Sequence, residues 1–273
     1  MKTALITGCS SGFGRATAAH FLEQGWNVVA TMRTPRRALD LPESDRLRLL
    51  RLDVTDRGSI GEAIRQGIAA FGGLDVVVNN AGIGLFGAFE ATPEERVREL
   101  FETNTFGVMA VTQAVIPHLR ERRAGTIVNV TSSVGIAPMP LVSAYTASKL
   151  AVEGFTEALS YELAFFGVRA KIVEPGYGPT TSFTANTSER MKGLVPEAYA
   201  PYAEQLLGGM AGAKSTTEID VARAVWLAAT DGSKRFRYPA GPDAEELAAM
   251  RRALPGDDYL EQMRAAVGPK TSA

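Results

Sequence analysis

Short runs of nearly continuous apolar residues recur along the chain: Thr3–Thr7, Asn27–Thr31, Leu47–Leu52, Leu74–Val78, Thr126–Thr131 and Val168–Glu174. The alternation of a half-exposed strand is missing from them, as in Val76-Val77-Val78. Strands covered on both faces have this pattern, and parallel sheets are covered on both faces. Between most of the runs, apolar positions repeat every three or four residues. That spacing predicts helices over Arg15–Gln24, Ser59–Ala70, Glu94–Arg120 and Ala144–Phe166. Further along, the pattern predicts a helix over Thr217–Ala229 and a short last strand over Phe236–Tyr238. A helix over Ala244–Ala266, interrupted at Pro255-Gly256, closes the series. Alternating strands and helices make a doubly wound parallel sheet of about seven strands, with helices on both faces.

No Pro/Gly/Ser-rich linker and no internal repeat divides residues 1–273, so one domain is expected. The segment from about 178 to 216 is different: Thr, Ser, Gly and Pro dominate it, with scattered Phe183, Met191, Leu194, Tyr199 and Tyr202. It follows a strand end directly, which suits a lid over a site. A plain surface insertion has the same composition. Residues from about 242 to 273 form a C-terminal extension.

In a sheet of this kind the loops after the strands line one edge, and ligands bind there. The first such loop is Thr7-Gly8-Cys9-Ser10-Ser11-Gly12-Phe13-Gly14. Strand, glycine turn and helix together seat a pyrophosphate on backbone N–H groups at a helix N-terminus, a Rossmann-like arrangement. Glycines are needed because a Cβ would block the turn and hold the phosphates away. At the end of the second strand, where an acidic residue would bind a ribose 2′-hydroxyl, the chain has Met32 and Arg33. A guanidinium there suits a 2′-phosphate, so NADP(H) is expected in preference to NAD(H). Asp53 and Val54, after the third strand, are placed to flank the adenine.

Tyr145 and Lys149 stand four apart in a helical pattern, so phenol and ammonium share a face. A nearby cation favours phenolate, and Lys149 together with a positively charged nicotinamide would bring the phenol toward neutral pH and let it exchange a proton with a carbonyl or alcohol oxygen. Ser132 and Ser133 follow the strand ending near Thr131, and either hydroxyl can reach a substrate oxygen at that edge. His20 and His118 lie in helical patterns as surface or packing residues. No Cys/His/carboxylate spacing points to a metal.

These residues together resemble the short-chain dehydrogenase/reductases, in their single-domain subgroup. The resemblance covers roughly residues 3–180. It rests on Thr7-Gly8-x-x-x-Gly12-x-Gly14, Asp53-Val54, Asn79-Asn80-Ala81-Gly82, Asn104 with Gly107, Asn129-Val130-Thr131-Ser132, Tyr145-x-x-x-Lys149 and Pro175-Gly176, in that order. The branch it most resembles contains 17β-hydroxysteroid and retinol dehydrogenases. The resemblance implies that Tyr145 is the acid/base and that Lys149 lowers its pKa and binds the nicotinamide ribose. It implies that Ser132, not Ser133, orients the substrate oxygen, and that Asn104 holds a water linking Lys149 to solvent. It places Gly8, Ser10, Ser11, Gly12, Phe13, Gly14, Asn80, Ala81, Gly82, Pro175 and Gly176 around the coenzyme, with Thr180 at the carboxamide. Gly178 departs from the family's usual valine or isoleucine. The implied function is reversible reduction of a ketone or aldehyde to an alcohol; an NADP(H)-binding redox sensor without turnover is the alternative.

The pocket expected under a closed lid is apolar, bordered by Leu85, Phe86, Met139, Val142, Tyr177, Phe183 and Met191. The helix patterns around 94–120 and 144–166 match the family's association surface, so a homodimer or homotetramer is expected. Composition adds exclusions. Of 273 residues 45% are hydrophobic and the net charge is −1, which gives no drive toward nucleic acid or an acidic membrane. No apolar run reaches 18 residues, so no membrane span is expected. The single cysteine, Cys9, cannot form an internal disulfide and reads as a small filler. The first strand begins within a few residues of Met1, and the chain reads as cytoplasmic.

Overall fold

The computed structural model describes residues 1–35, 41–181, 187, 190–210 and 212–269. Seven parallel strands form one sheet: β1 (Thr3–Ile6), β2 (Asn27–Met32), β3 (Leu47–Arg51), β4 (Val76–Asn79), β5 (Gly125–Val130), β6 (Val168–Pro175) and β7 (Arg237–Ala240). Their spatial order is β3-β2-β1-β4-β5-β6-β7. The order reverses at β1, so the helices that follow β1 and β4 pass to opposite faces of the sheet. Ligands enter the crevice that this leaves at the carboxyl edge. Val77 pairs with Leu5 on one side and Ile127 on the other, so the continuously apolar β4 is at the sheet centre.

Helices α1 (Gly12–Glu23) and α7 (Glu218–Thr230) cover one face, where Ala18, Phe21, Leu22, Val221 and Val225 pack with Ile6, Val28 and Val78. Phe21, Trp26 and Trp226 meet edge to face there, with ring centroids 5.0–5.3 Å apart. Helices α2 (Arg57–Phe71), α4 (Gly107–Arg122) and α5 (Ser143–Ala164) cover the other face through Ile60, Ile64, Val111, Val115, Leu159 and Leu163. Residues 178–216 contain α6 (Ala200–Met210), and the C-terminal extension folds into α8 (Pro242–Ala253) and α9 (Gly256–Val267). Tyr259 of α9 donates to the Ile136 carbonyl at 3.0 Å, fastening the extension to the loop after β5.

The helix expected over Glu94–Arg120 is not continuous. α3 (Glu94–Phe101) runs into one wide π turn, Glu102–Phe106, before α4 begins. Extra residues in a helical turn turn a side chain away from its regular position. Here Asn104 is inside the turn, wholly buried, and binds main chain outside the helix. Among the described residues no helix is long and apolar enough to cross a membrane.

Candidate active site

The glycine turn is locked from both sides. Gly8 has φ +74°, and a Cβ on it would lie 2.8 Å from the Ala81 Cα. A Cβ on Gly14 would collide with the Gly8 carbonyl and the Asn80 amide. Asn80 donates from Nδ2 to the Thr7 carbonyl at 2.9 Å, while Thr7 Oγ1 accepts from the N–H groups of Asn80 and Ala81 at 3.0 Å each. The loop after β4 therefore shapes the turn after β1. Ser11 caps α1 by backbone alone; its side chain makes no cap hydrogen bond, and no acidic residue occupies the first turn. A bare, uncompensated helix N-terminus flanked by hydroxyls fits an anionic pyrophosphate. Cys9 is wholly buried, and burial pushes its thiol up to about 12, so it packs as the expected small filler.

Arg33 is exposed just past β2. Asp53 accepts at Oδ1 from the N–H and hydroxyl of Thr55, at 3.0 and 2.8 Å. Val54 is buried against Gly107, with the core side of the loop. At the far side of the crevice, Gly176 donates its N–H to the Ala240 carbonyl at 3.0 Å. Asp243 of α8 accepts from the Tyr177 N–H at 2.7 Å and the Thr216 hydroxyl at 2.6 Å, gathering the loop after β6. Thr180 points at Glu218, with its hydroxyl 3.4 Å from both carboxylate oxygens. Its neighbour Thr181 is the buried one, packed against Gly12. A Cβ on Gly178 would lie 2.8 Å from the Phe13 ring. The departure at Gly178 thus has a steric cause: a branched residue there would be driven into the ring beside the glycine turn.

Tyr145 is buried on α5 and packs with Leu85, Leu100 and Leu194. Burial pushes its phenol up to about 12, and a hydrogen bond from Ser132 pulls in the opposite direction. Lys149, one turn on, has its ammonium 5.8 Å from the Tyr145 ring centroid and donates to the Val130 carbonyl at 3.2 Å. Burial lowers it to about 8, and the charge of Glu153 opposes that fall. Burial therefore dominates the phenol of the chain by itself, whereas the expected acidification calls on Lys149 together with a positively charged nicotinamide. Ser132 caps the short turn Ser133–Gly135, accepting from the Val134 N–H at 3.3 Å; Ser133 lies within that turn, and it is Ser132 that meets the phenol. The Asn104 carboxamide is committed to protein, accepting from the Ile83 N–H at 2.8 Å and donating to the Ile83 carbonyl at 2.9 Å and the Ser148 hydroxyl at 3.2 Å. A Cβ on Gly82 would come within 3.5 Å of the Lys149 ammonium, so Gly82 borders the same spot.

Among the substrate-side residues, Leu85 and Val142 gather at Tyr145 as expected. Met139 does not: it packs on the C-terminal extension with Tyr259 and Met263. Phe183 falls outside the described residues. Leu194, noted in the 178–216 segment but not placed at the pocket, packs in one cluster with Tyr145, and its carbonyl accepts from the Ala88 N–H at 2.8 Å. A sequence signal was available, since Leu194 and Val195 form an aliphatic pair inside a largely polar stretch. Glu153 was also missed. It is buried four residues after Lys149, where an acidic residue in a helix normally reads as solvated. Among the described residues there is no cluster able to hold a metal.

Comparison with known proteins agrees with this geometry. Residues 2–192 match the family model described as short chain dehydrogenase. An uncharacterized oxidoreductase of Bacillus subtilis, YusZ, is 36% identical over 93% of this chain and 94% of its own length. A 3-ketodihydrosphingosine reductase of Bacteroides thetaiotaomicron is 42% identical over 67% of this chain and 65% of its own. Bovine retinol dehydrogenase 8 is 39% identical over 64% and 58%. The crystal structure of a short-chain dehydrogenase from Streptomyces avermitilis superimposes with a TM-score of 0.76 at 34% identity, covering 97% of this chain and 93% of that one. At 26% identity, ElxO with NADP bound scores 0.73 (87% of this chain, 97% of that one) and a Brucella melitensis 3-ketoacyl-(acyl-carrier-protein) reductase complexed with NADH scores 0.71 (87% and 96%). From the interlocked glycine turn, the buried phenol–ammonium pair and these likenesses together, the chain belongs to the short-chain dehydrogenase family and is an oxidoreductase acting on CH–OH groups with NAD(P).

Proposed function

We propose that this enzyme uses NADP(H) to reduce a ketone or aldehyde reversibly on an apolar substrate, with Asn104, Ser132, Tyr145 and Lys149 as its working residues. The observation that carries the proposal is a phenol hydrogen-bonded to Ser132 within an aliphatic cluster, with an ammonium one helical turn away. When bound, reduced nicotinamide supplies the hydride. Gly8, Ser10, Ser11, Gly12, Phe13 and Gly14 would hold the pyrophosphate, Arg33 the adenine phosphate, and Asp53 and Val54 the adenine. Asn80, Ala81, Gly82, Pro175, Gly176 and Thr180 would border the nicotinamide half.

Tyr145 Oη gives its proton to the substrate oxygen while the Ser132 hydroxyl orients that oxygen. A phenol near 12 stays protonated at neutral pH, and an alkoxide is a far stronger base than phenolate, so the transfer runs readily in the direction of reduction. As the phenolate forms, the Lys149 charge stabilises it across a site that Leu85, Leu100 and Leu194 keep dry. A water relay from Lys149 past Asn104 to solvent returns the proton.

The lid reading gains support from Leu194 in one cluster with Tyr145 and from Arg190, which holds the Glu99 carboxylate with two bonds of 2.7 and 2.9 Å. The names of the retinol and ketodihydrosphingosine relatives favour a long apolar substrate. Exposed Leu150 and Tyr161 on α5, with Phe165 just past its end, favour self-association through that helix. A panel of apolar ketones and alcohols, followed by NADPH absorbance, tests the proposal. Turnover with NADPH is expected; tight NADPH binding with no turnover of any member would replace the enzyme with a sensor.

A further inference from the structure

Behind Lys149 is a set of buried charges that the reaction above does not use. Glu153 follows one turn later on α5 and is 3% exposed. Its Oε2 accepts from Arg237 Nη1 at 2.6 Å, and the same nitrogen donates to Glu174 Oε1 at 2.9 Å. Two carboxylates from α5 and β6 thus share one guanidinium from β7. The other oxygen, Glu153 Oε1, has no hydrogen-bond partner among the described residues. It presses on Gly135, where any Cβ would collide with it. Gly135 closes the turn that Ser132 caps, and its N–H donates to the Ser132 carbonyl at 3.0 Å. One carboxylate therefore stands beneath Ser132 and one helical turn from Lys149.

Simple packing does not account for this arrangement. Burying two carboxylates for one cation is unfavourable, and apolar residues of similar volume serve a core as well or better. Glu174 carries the strain: burial and the neighbouring Glu153 raise it to about 7, although Arg237 pulls the other way. The groups facing Glu153 are Lys149 and Glu157 from its own helix, Glu174 from β6, and Arg237 from β7. Among them Lys149 is the one at the reacting end.

We infer that Glu153 is a positioning residue of the active site: held by Arg237, its carboxylate keeps Lys149 in the charged form and seats the turn that presents Ser132. The inference rests on the assignment of Lys149 above, but its test needs no substrate. Lysine carrying 13C at Cε reports the Lys149 titration by NMR, with the signal assigned by its loss in Lys149→Arg. In the native protein a midpoint well below that of free lysine is expected. Glu153→Gln keeps shape and removes charge, so the midpoint should fall by about one further pH unit. Glu153→Asp keeps the charge and should bring it back most of the way. Should Glu153→Gln fail to fold, Glu153→Met fills the same volume without charge and leaves Arg237 paired with Glu174, and the same fall is expected. A Lys149 midpoint that stays put in a folded variant lacking the Glu153 charge overturns the inference, whatever the turnover assays give.

Discussion

Two buried tyrosine–lysine pairs stand at opposite edges of one sheet, and they differ in how far their polar atoms are satisfied. At the amino edge, the Lys171 ammonium is 5.4 Å from the Tyr238 ring centroid. It donates to the Ser233 carbonyl at 2.7 Å, to the Arg235 carbonyl and to the Tyr238 hydroxyl. Tyr238 in turn donates to Asp231 at 2.8 Å. At the carboxyl edge, Lys149 has a similar separation from Tyr145, 5.8 Å, but donates to the Val130 carbonyl as its one hydrogen bond among the described residues. A saturated pair is cement; a pair with donors to spare can take on a ligand. Separation and burial are alike, so the number of hydrogen bonds the lysine makes is the property that separates the two pairs.

The sharpest way to break this contrast is to remove each phenol. Tyr145→Phe should cut ketone reduction by ~10²–10⁴-fold while NADPH still binds, and Tyr238→Phe should leave turnover close to native. Equal losses in steady-state assays would erase the distinction. Next in size, Lys171→Met removes a buried ammonium that ties the Ser233 and Arg235 carbonyls to the Tyr238 hydroxyl. It should lower the unfolding free energy by ~1–3 kcal/mol in urea melts, with kcat unchanged in the folded fraction. A smaller effect belongs to the coenzyme end: native protein should bind NADPH at least about tenfold tighter than NADH by fluorescence titration, and Arg33→Ala should level the two.

A separate contrast is in the pH dependence of stability. Glu174 is raised from 4.5 to about 7, so the folded chain binds more protons than the unfolded one in that window, and stability should fall as pH rises through it. Glu174→Gln should flatten that slope. Lys149 is lowered from 10.5 to about 8, so the unfolded chain binds more protons there, and stability should rise with pH between those values. Lys149→Met should flatten this second slope in denaturant melts taken across the range.

Strand runs were legible because burial on both faces leaves a continuous apolar signature, and β1 to β6 lie within a residue or two of the apolar runs. The glycine turn was legible because its geometry is local, and the nearness of Ser132, Tyr145 and Lys149 to one another follows from their short spacing. The wide turn at Asn104 was not, since its cause is a bond to Ile83 that sequence spacing does not encode. Nor was the contrast between Thr180, which faces Glu218, and Thr181, which is buried, since that depends on which hydroxyl the loop turns inward. Glu153 was hidden by its residue type, although Tyr145, Lys149 and Glu153 follow at four-residue intervals along one helical face.

The aromatic knot of Phe21, Trp26 and Trp226 has a practical corollary. The chain has two tryptophans, and both are in that knot, between α1 and α7. Ultraviolet emission excited at the indole band therefore reads a single corner of the molecule, on the side of the sheet away from Lys149. Melts watched by that emission and by far-ultraviolet circular dichroism sample different territory, and any offset between the two traces reports how tightly the two sides are coupled.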